Sequence, residues 1–394
     1  MAVPTLAFYI SGHGFGHASR DIEVLNALHR LAPSLRLIVR TSAPRWLFDL
    51  TATARFDWYP AECDTGIVQI DSLRLDAAET IRRAAAFYDT LDQRADAEMR
   101  FLAEQNVTLV AGDIPPLAFA AARRARIPSL AIGNFTWDWI YAAYDEAARD
   151  APLLVPRIRQ AYAQAGHAMR LPLGGGFESF SSIESIPFIA RRASRSADET
   201  RARFGLPANG RLVLASFGGY GLADIDLAAL ASLDNWLVIV TSNVRARRRE
   251  ADPAVAAPAQ APGYDDEEND RLPDTVRFID ERDIYAAGFR YEDLVAAVDV
   301  VATKPGYGII AECVANDTAV LYTSRGRFIE YDVMVEEMPR YVRCAFISNE
   351  DLYSGRWQGP LDRLMMQPRP SERPRVDGAE VVARHVTQAL GSRL

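Results

Sequence analysis

The 394 residues, 49% of them hydrophobic, are too many for one ordinary core, so two domains are expected. A net charge of −8 and a pI near 5.3 argue against a general nucleic-acid binder. Three scattered cysteines (Cys63, Cys313, Cys344) argue against a disulfide framework or a cysteine metal site.

No apolar run reaches the ~18 residues of a spanning helix, and no signal-like stretch opens the chain. A cytoplasmic protein is the expectation. Among 44 basic residues a single lysine, Lys304, stands against arginines throughout. The arginines therefore read as compositional background, and Lys304 draws attention.

Residues 6–10 predict a buried first strand, and residues 21–31 an amphipathic helix. Between them runs SGHGFGHASR, in which Gly12, Gly14 and Gly16 alternate with His13 and His17. Alternating glycines let the backbone turn sharply and approach a ligand. The following helix start offers unpaired N–H groups to an anion, and a histidine there can take a proton near neutral pH. Many α/β turns of this build carry no chemistry.

Further strands are predicted over 35–41, 55–59, 107–111 and 129–132, and helices over 44–50, 76–105 and 115–126. Strands alternating with helices imply a doubly wound parallel sheet. Residues 137–165 read as helical and irregular, 174–176 as a turn, and 186–203 as a linker with five arginines. The alternation then restarts, with strands over 211–217, 236–241, 276–279, 298–302 and 319–323 and helices over 306–316 and 378–390. Residues 245–274 read as a long mobile surface loop. The expected division is 1–188, 189–376, and a terminal piece, 377–394, that packs back on the first domain.

Two more glycine turns follow strands: SFGGYG, with Gly218, Gly219 and Gly221, and TKPGYGIIAE, with Lys304, Gly306, Tyr307, Gly308 and Glu312. In open α/β sheets ligands bind beyond the carboxyl ends of strands, so two facing sheets would gather all three turns around one cleft. A diphosphate is favoured at the 306–316 helix start, Lys304 can neutralise it, and Glu312 can accept from a ribose diol. An ordinary helix start with a solvated Lys and Glu is the plain alternative. Asp113 reads first as a helix cap and second as a catalytic acid. Asn134, Trp137 and Asp138 follow another strand, where the aromatic group can stack on a sugar or simply fill the core. Glu330 and Asp332 can hold sugar hydroxyls or merely open a helix.

Gly12–His17 resembles the glycine–histidine loop of the peptidoglycan N-acetylglucosaminyltransferases, which are GT-B enzymes with two Rossmann-like domains facing across a cleft. The later glycine turns resemble that family's second and third loops. A closer resemblance is to the glycosyltransferase-like N-terminal half of plant arabinokinases, carried by SGHGFGHASR, CDTGIVQ, GDIPPLA, NFTWDWIYAAY, KPGYGIIAE and DLYSGRW. The resemblance implies a GT-B fold, with His17 at the transferase histidine, Glu312 at the ribose-binding acid, and Glu330 and Asp332 near the donor sugar. His13 departs from the Gly or Thr of the peptidoglycan enzymes. No sugar-kinase ATP motif is present in these residues.

The expectation is a metal-independent, inverting glycosyltransferase. It takes a nucleotide-diphosphate sugar such as a UDP-sugar as co-substrate, with no resident cofactor and no metal. Catalysis falls to His17 or Asp113, and donor binding to Gly14, Gly16 and the two later turns. His13, Asn134, Trp137 and Asp138 fall on the side of an acceptor whose identity is not legible. A sugar-nucleotide epimerase and a non-catalytic nucleotide-sugar sensor are the alternatives. Oligomeric state is not legible either.

Overall fold

Two parallel sheets carry the chain in the computed structural model, which describes residues 3–218, 222–241, 244–246 and 273–391. The first sheet contains β1 (Thr5–Ile10), β2 (Arg36–Thr41), β3 (Asp57–Pro60), β4 (Leu109–Asp113), β5 (Ser129–Phe135), β6 (His167–Gly175) and β7 (Ile183–Ser185). Its order is β3-β2-β1-β4-β5-β6-β7, and every pairing is parallel. The strand order reverses between β1 and β4, whose register sets Ile10 beside Asp113.

The second half contributes β8 (Arg211–Ser216), β9 (Leu222–Ile225), β10 (Trp236–Thr241), β11 (Val244–Ala246), β12 (Val276–Ile279), β13 (Val300–Thr303), β14 (Ala319–Tyr322) and β15 (Cys344–Phe346). Six of these form a parallel sheet in the order β12-β10-β8-β13-β14-β15, while β9 and β11 pair separately. This sheet reverses between β8 and β13, where Ser216 lies beside Thr303. Each reversal point is the crevice in which a doubly wound sheet binds ligands. The turns after β1, β8 and β13 all open there.

The central strands β1, β4 and β5 are buried along their whole length, as expected of a sheet covered on both faces. One cluster of buried apolar side chains runs from Leu6, Phe8 and Ile132 in the first sheet to Leu214, Val301 and Val320 in the second. The terminal helix Gly378–Gly391 buries Val382, Ala383, Val386 and Leu390 and packs along the helix Gly16–Leu31.

Several elements differ from the sequence expectation. The predicted 76–105 helix is two helices, Ala77–Asp89 and Leu91–Glu104. Thr90 separates them, its hydroxyl donating to the Phe87 carbonyl at 2.9 Å in competition with the helix ladder. The expected linker 186–203 ends in the helix Ala197–Arg203, started by a capping box between Ser196 and Glu199. Strands β6, β7 and β15 were not expected. β7 and β15 have three residues each, and β6 ends in the glycines that read as a turn. Most of the predicted 245–274 loop, from 247 to 272, lies outside the described residues.

Candidate active site at the crevice between the sheets

The turn after β1 is pinned by Ser11, whose hydroxyl donates to Asp64 Oδ1 at 3.0 Å and accepts from the His13 amide at 3.3 Å. Gly14 then takes φ +65°, a conformation that side chains other than glycine's resist, and the helix starts at Gly16. His17, one residue into that helix, is buried, with Nδ1 3.0 Å from Asp113 Oδ1. Sequence reasoning offered these two as alternatives for one role, and the structure brings them together. It does not make Asp113 a helix cap: Pro115 occupies that position and Asp113 turns back to His17.

Arg20 lies one helical turn beyond His17 and so on the same face. Its Nε and Nη2 grip both oxygens of Asp113, and its Nη1 donates to Asn134 Oδ1 at 2.7 Å. Burial alone would raise the Asp113 carboxyl, but Arg20 and His17 outweigh it and hold it well below the usual range. An ionised carboxylate can only accept, so the Asp113 contact is a hydrogen bond when His17 carries its proton on Nδ1, leaving Nε2 basic; Arg20 Nη2, also a donor, lies 3.1 Å from the same Nδ1 and competes for it.

The second half meets this group directly. Asn134 Nδ2 donates to Glu330 Oε1 at 2.8 Å, and Arg325 Nη1 lies 3.4 Å from Glu330 Oε2. The Arg20 guanidinium sits 5.0 Å from the centroid of the Tyr307 ring, whose hydroxyl accepts from the Ile189 amide at 3.0 Å. A Cβ built on Gly308 would lie 3.8 Å from Gly16 Cα, so the glycine turns of the two sheets face each other. Gly306 caps the helix Tyr307–Asn316 with open space around its Cα hydrogens.

Cationic groups crowd this point. Burial, then His17, Arg325 and Lys304, depress the His13 imidazole to about 3. Burial and Arg325 bring the Lys304 ammonium down to about 7. Arg325 is itself buried, and its Nε has no hydrogen-bond partner among the described residues. Arg325 thus lowers Lys304, and both lower His13; such a cluster would be stabilised by an anion.

Other expected residues fall differently. Glu312 is buried and ion-paired with Arg191, with Glu292 close by; its Oε2 has no partner among the described residues. Burial pushes its carboxyl up to about 7. Glu330 and Asp332 do not act together. Two residues apart on one helix they point to different sides, so Glu330 joins the network while Asp332 is exposed. Trp137 is fully buried, stacks on Tyr141, and donates from Nε1 to Asp64 at 2.8 Å. It supports the site from behind and has no face for a sugar. Asp138 turns away, towards Arg159 at 3.2 Å and Ser179 at 3.3 Å. Asn134 is wholly buried in the Arg20–Glu330 link. Gly218 takes φ +70° after β8; Gly219 and Gly221 lie outside the described residues.

Sequence reasoning missed Arg20, Asp64, Arg191 and Arg325. The spacing of Arg20 from His17 was the available signal. Two open surface hollows, of about 290 Å³ beside Trp357 and about 490 Å³ beside Phe346, contain none of these residues.

No family model matches the sequence. The two facing doubly wound sheets define the fold of the GT-B glycosyltransferases. The calicheamicin glycosyltransferase CalG4 is similar over 99% of both chains, with a TM-score of 0.58 and 12% identity. Phytolacca americana UGT2, solved with UDP-2fluoro-glucose and pterostilbene, is similar over 98% of this chain and 94% of its own, with a TM-score of 0.55 and 12% identity. Acinetobacter baumannii MurG covers 98% and 100%, with a TM-score of 0.50 and 11% identity.

In sequence, the chain is similar to L-arabinokinase of Arabidopsis thaliana, at 27% identity over 389 residues. The match takes in 97% of this chain and 34% of that protein, so the chain spans about a third of the relative's length. No helix among the described residues is long and apolar enough to cross a membrane.

Proposed function

We propose that this chain transfers a sugar from a nucleotide-diphosphate sugar to an acceptor hydroxyl, with inversion and without a metal in the transfer step. The observation that carries the reading is the gathering of His13, His17, Lys304 and Arg325 between two glycine turns that face each other. The diphosphate sits on the Gly306 helix start beside Lys304 and Arg325, where backbone N–H groups and two cations meet it. Glu312 Oε2 accepts from the ribose, and Glu330 from the sugar. The nucleotide and its sugar are the co-substrate, and no resident cofactor takes part.

His17 Nε2 removes the acceptor proton while Asp113 holds the ring by Nδ1–H and stabilises the imidazolium that forms. The acceptor oxygen bonds to the anomeric carbon from the face opposite the diphosphate. The nucleoside diphosphate leaves with the electron pair of the broken bond.

General-base help contributes ~10²–10⁴-fold. His17→Ala is therefore expected to lower kcat by that order, with little change in donor affinity. Product analysis on donor alone and on donor with acceptors tests the class of reaction. Transfer supports the proposal, a new sugar isomer from donor alone indicates an epimerase, and tight binding without turnover indicates a sensor.

A further inference from the structure

A second group of polar side chains lies at the opposite end of the first sheet from the crevice. His167 is the first residue of β6, Glu184 is the middle residue of the edge strand β7, and His385 is on the terminal helix. The register pairs Met169 with Glu184, so His167 and Glu184 stand on one face of the sheet. That face, through Met169, shares a core with Val382 and Val386 of the terminal helix. His385 flanks this apolar stripe and reaches the same margin. One ligand atom from each of the three residues falls within a span of 4.8 Å.

The hydrogen bonding says more than the proximity. His167 Nδ1 is 2.8 Å from Ser182 Oγ, whereas its Nε2 is buried with no hydrogen-bond partner among the described residues. A ring held through Nδ1–H by a neighbouring oxygen presents the Nε2 lone pair, as in metal-binding histidines. With the ring proton on Nδ1, that lone pair faces Glu184 Oε2 at 3.6 Å, one acceptor against another. The two imidazoles lie parallel, with centroids 5.0 Å apart and planes 6° apart. Acceptors that converge without a donor are stabilised by a cation among them.

We infer that His167, Glu184 and His385 form a binding site for a divalent transition metal of the zinc class, clamping the terminal helix to the edge of the first sheet. Two imidazoles and one carboxylate suit zinc, with the remaining position left to water. A small rotation of each ring brings the nitrogens onto one ion. The site is independent of the reaction proposed above, since none of its residues approaches the crevice.

Calorimetric titration of tag-free, chelator-stripped full-length protein with zinc chloride tests the site. One saturable site per chain is expected, with a zinc-dependent rise in Tm. Affinity should fall by roughly tenfold or more in His385→Gln and in Glu184→Gln, comparable with or beyond the loss of an outer partner. Both altered residues are at the surface margin, so these variants retain the fold. Absence of saturable binding overturns the inference. So does zinc binding that neither substitution weakens, or a stability that follows pH but not zinc, since the cation would then be a proton shared by His167 and Glu184.

Discussion

At the scale of single residues, Arg20 decides whether Asp113 can stay ionised in a dry setting. Both side chains are almost wholly buried, and Arg20 supplies the two hydrogen bonds that offset the loss of water. Arg20→Ala leaves a carboxylate buried and unpaired, and a loss of about 3–5 kcal/mol in chemical denaturation is expected. Arg20→Lys restores the charge but not the paired geometry and should fall between. Lys304 offers a test by proton counting. Between pH 7 and its ordinary 10.5 its folded form is largely neutral, whereas a diphosphate beside it would restore the charge. Donor binding at pH 8.5 should therefore take up protons, and affinity should fall as pH rises through this window. Calorimetry in buffers of different ionisation enthalpy reads the sign, and proton release would remove Lys304 from the diphosphate site.

Among elements, the turn after β1 works because its neighbour yields space. Gly66 has φ +61°, and a Cβ on it would meet His13 Nδ1 at 2.6 Å. The same stretch anchors the ring, the Ile67 amide donating to His13 Nδ1 at 3.3 Å. Gly66→Ala would strain the backbone by about 1–2 kcal/mol and turn the His13 ring into the crevice. A lower Tm together with weaker donor binding is expected; a lower Tm with donor binding intact would place His13 away from the donor. The glycine turns and their strands were legible because a buried strand followed by glycine and a helix is a local pattern. The cross-sheet partners were not legible in the same way. Arg20, Arg191 and Arg325 looked like background in an arginine-rich chain, and only the fold places them against Asp113, Glu312 and Glu330. Trp137 shows the reverse case, a residue of the right type for a sugar that packing puts in the core.

Across the whole molecule, the two halves share apolar packing and also a polar seam. That seam runs from His17 through Asp113, Arg20, Asn134 and Glu330 to Arg325. It links the proposed base in one half to the proposed donor site in the other, so each depends on how the halves meet. The general plan of two alternating sheets was legible from periodicity. The seam was not, because it joins residues nearly two hundred positions apart, as in the Asn134–Glu330 pair. The most direct measurement is calorimetric binding of a panel of UDP-, GDP-, dTDP- and ADP-sugars to the wild type, Lys304→Ala and Gly16→Val. The last change puts bulk where a Cβ meets nothing within 4 Å, at the mouth of the first turn. At least one donor should bind the wild type and bind more weakly to both variants. Failure of every donor to bind, or a loss confined to one half, would contradict a site shared by the two sheets.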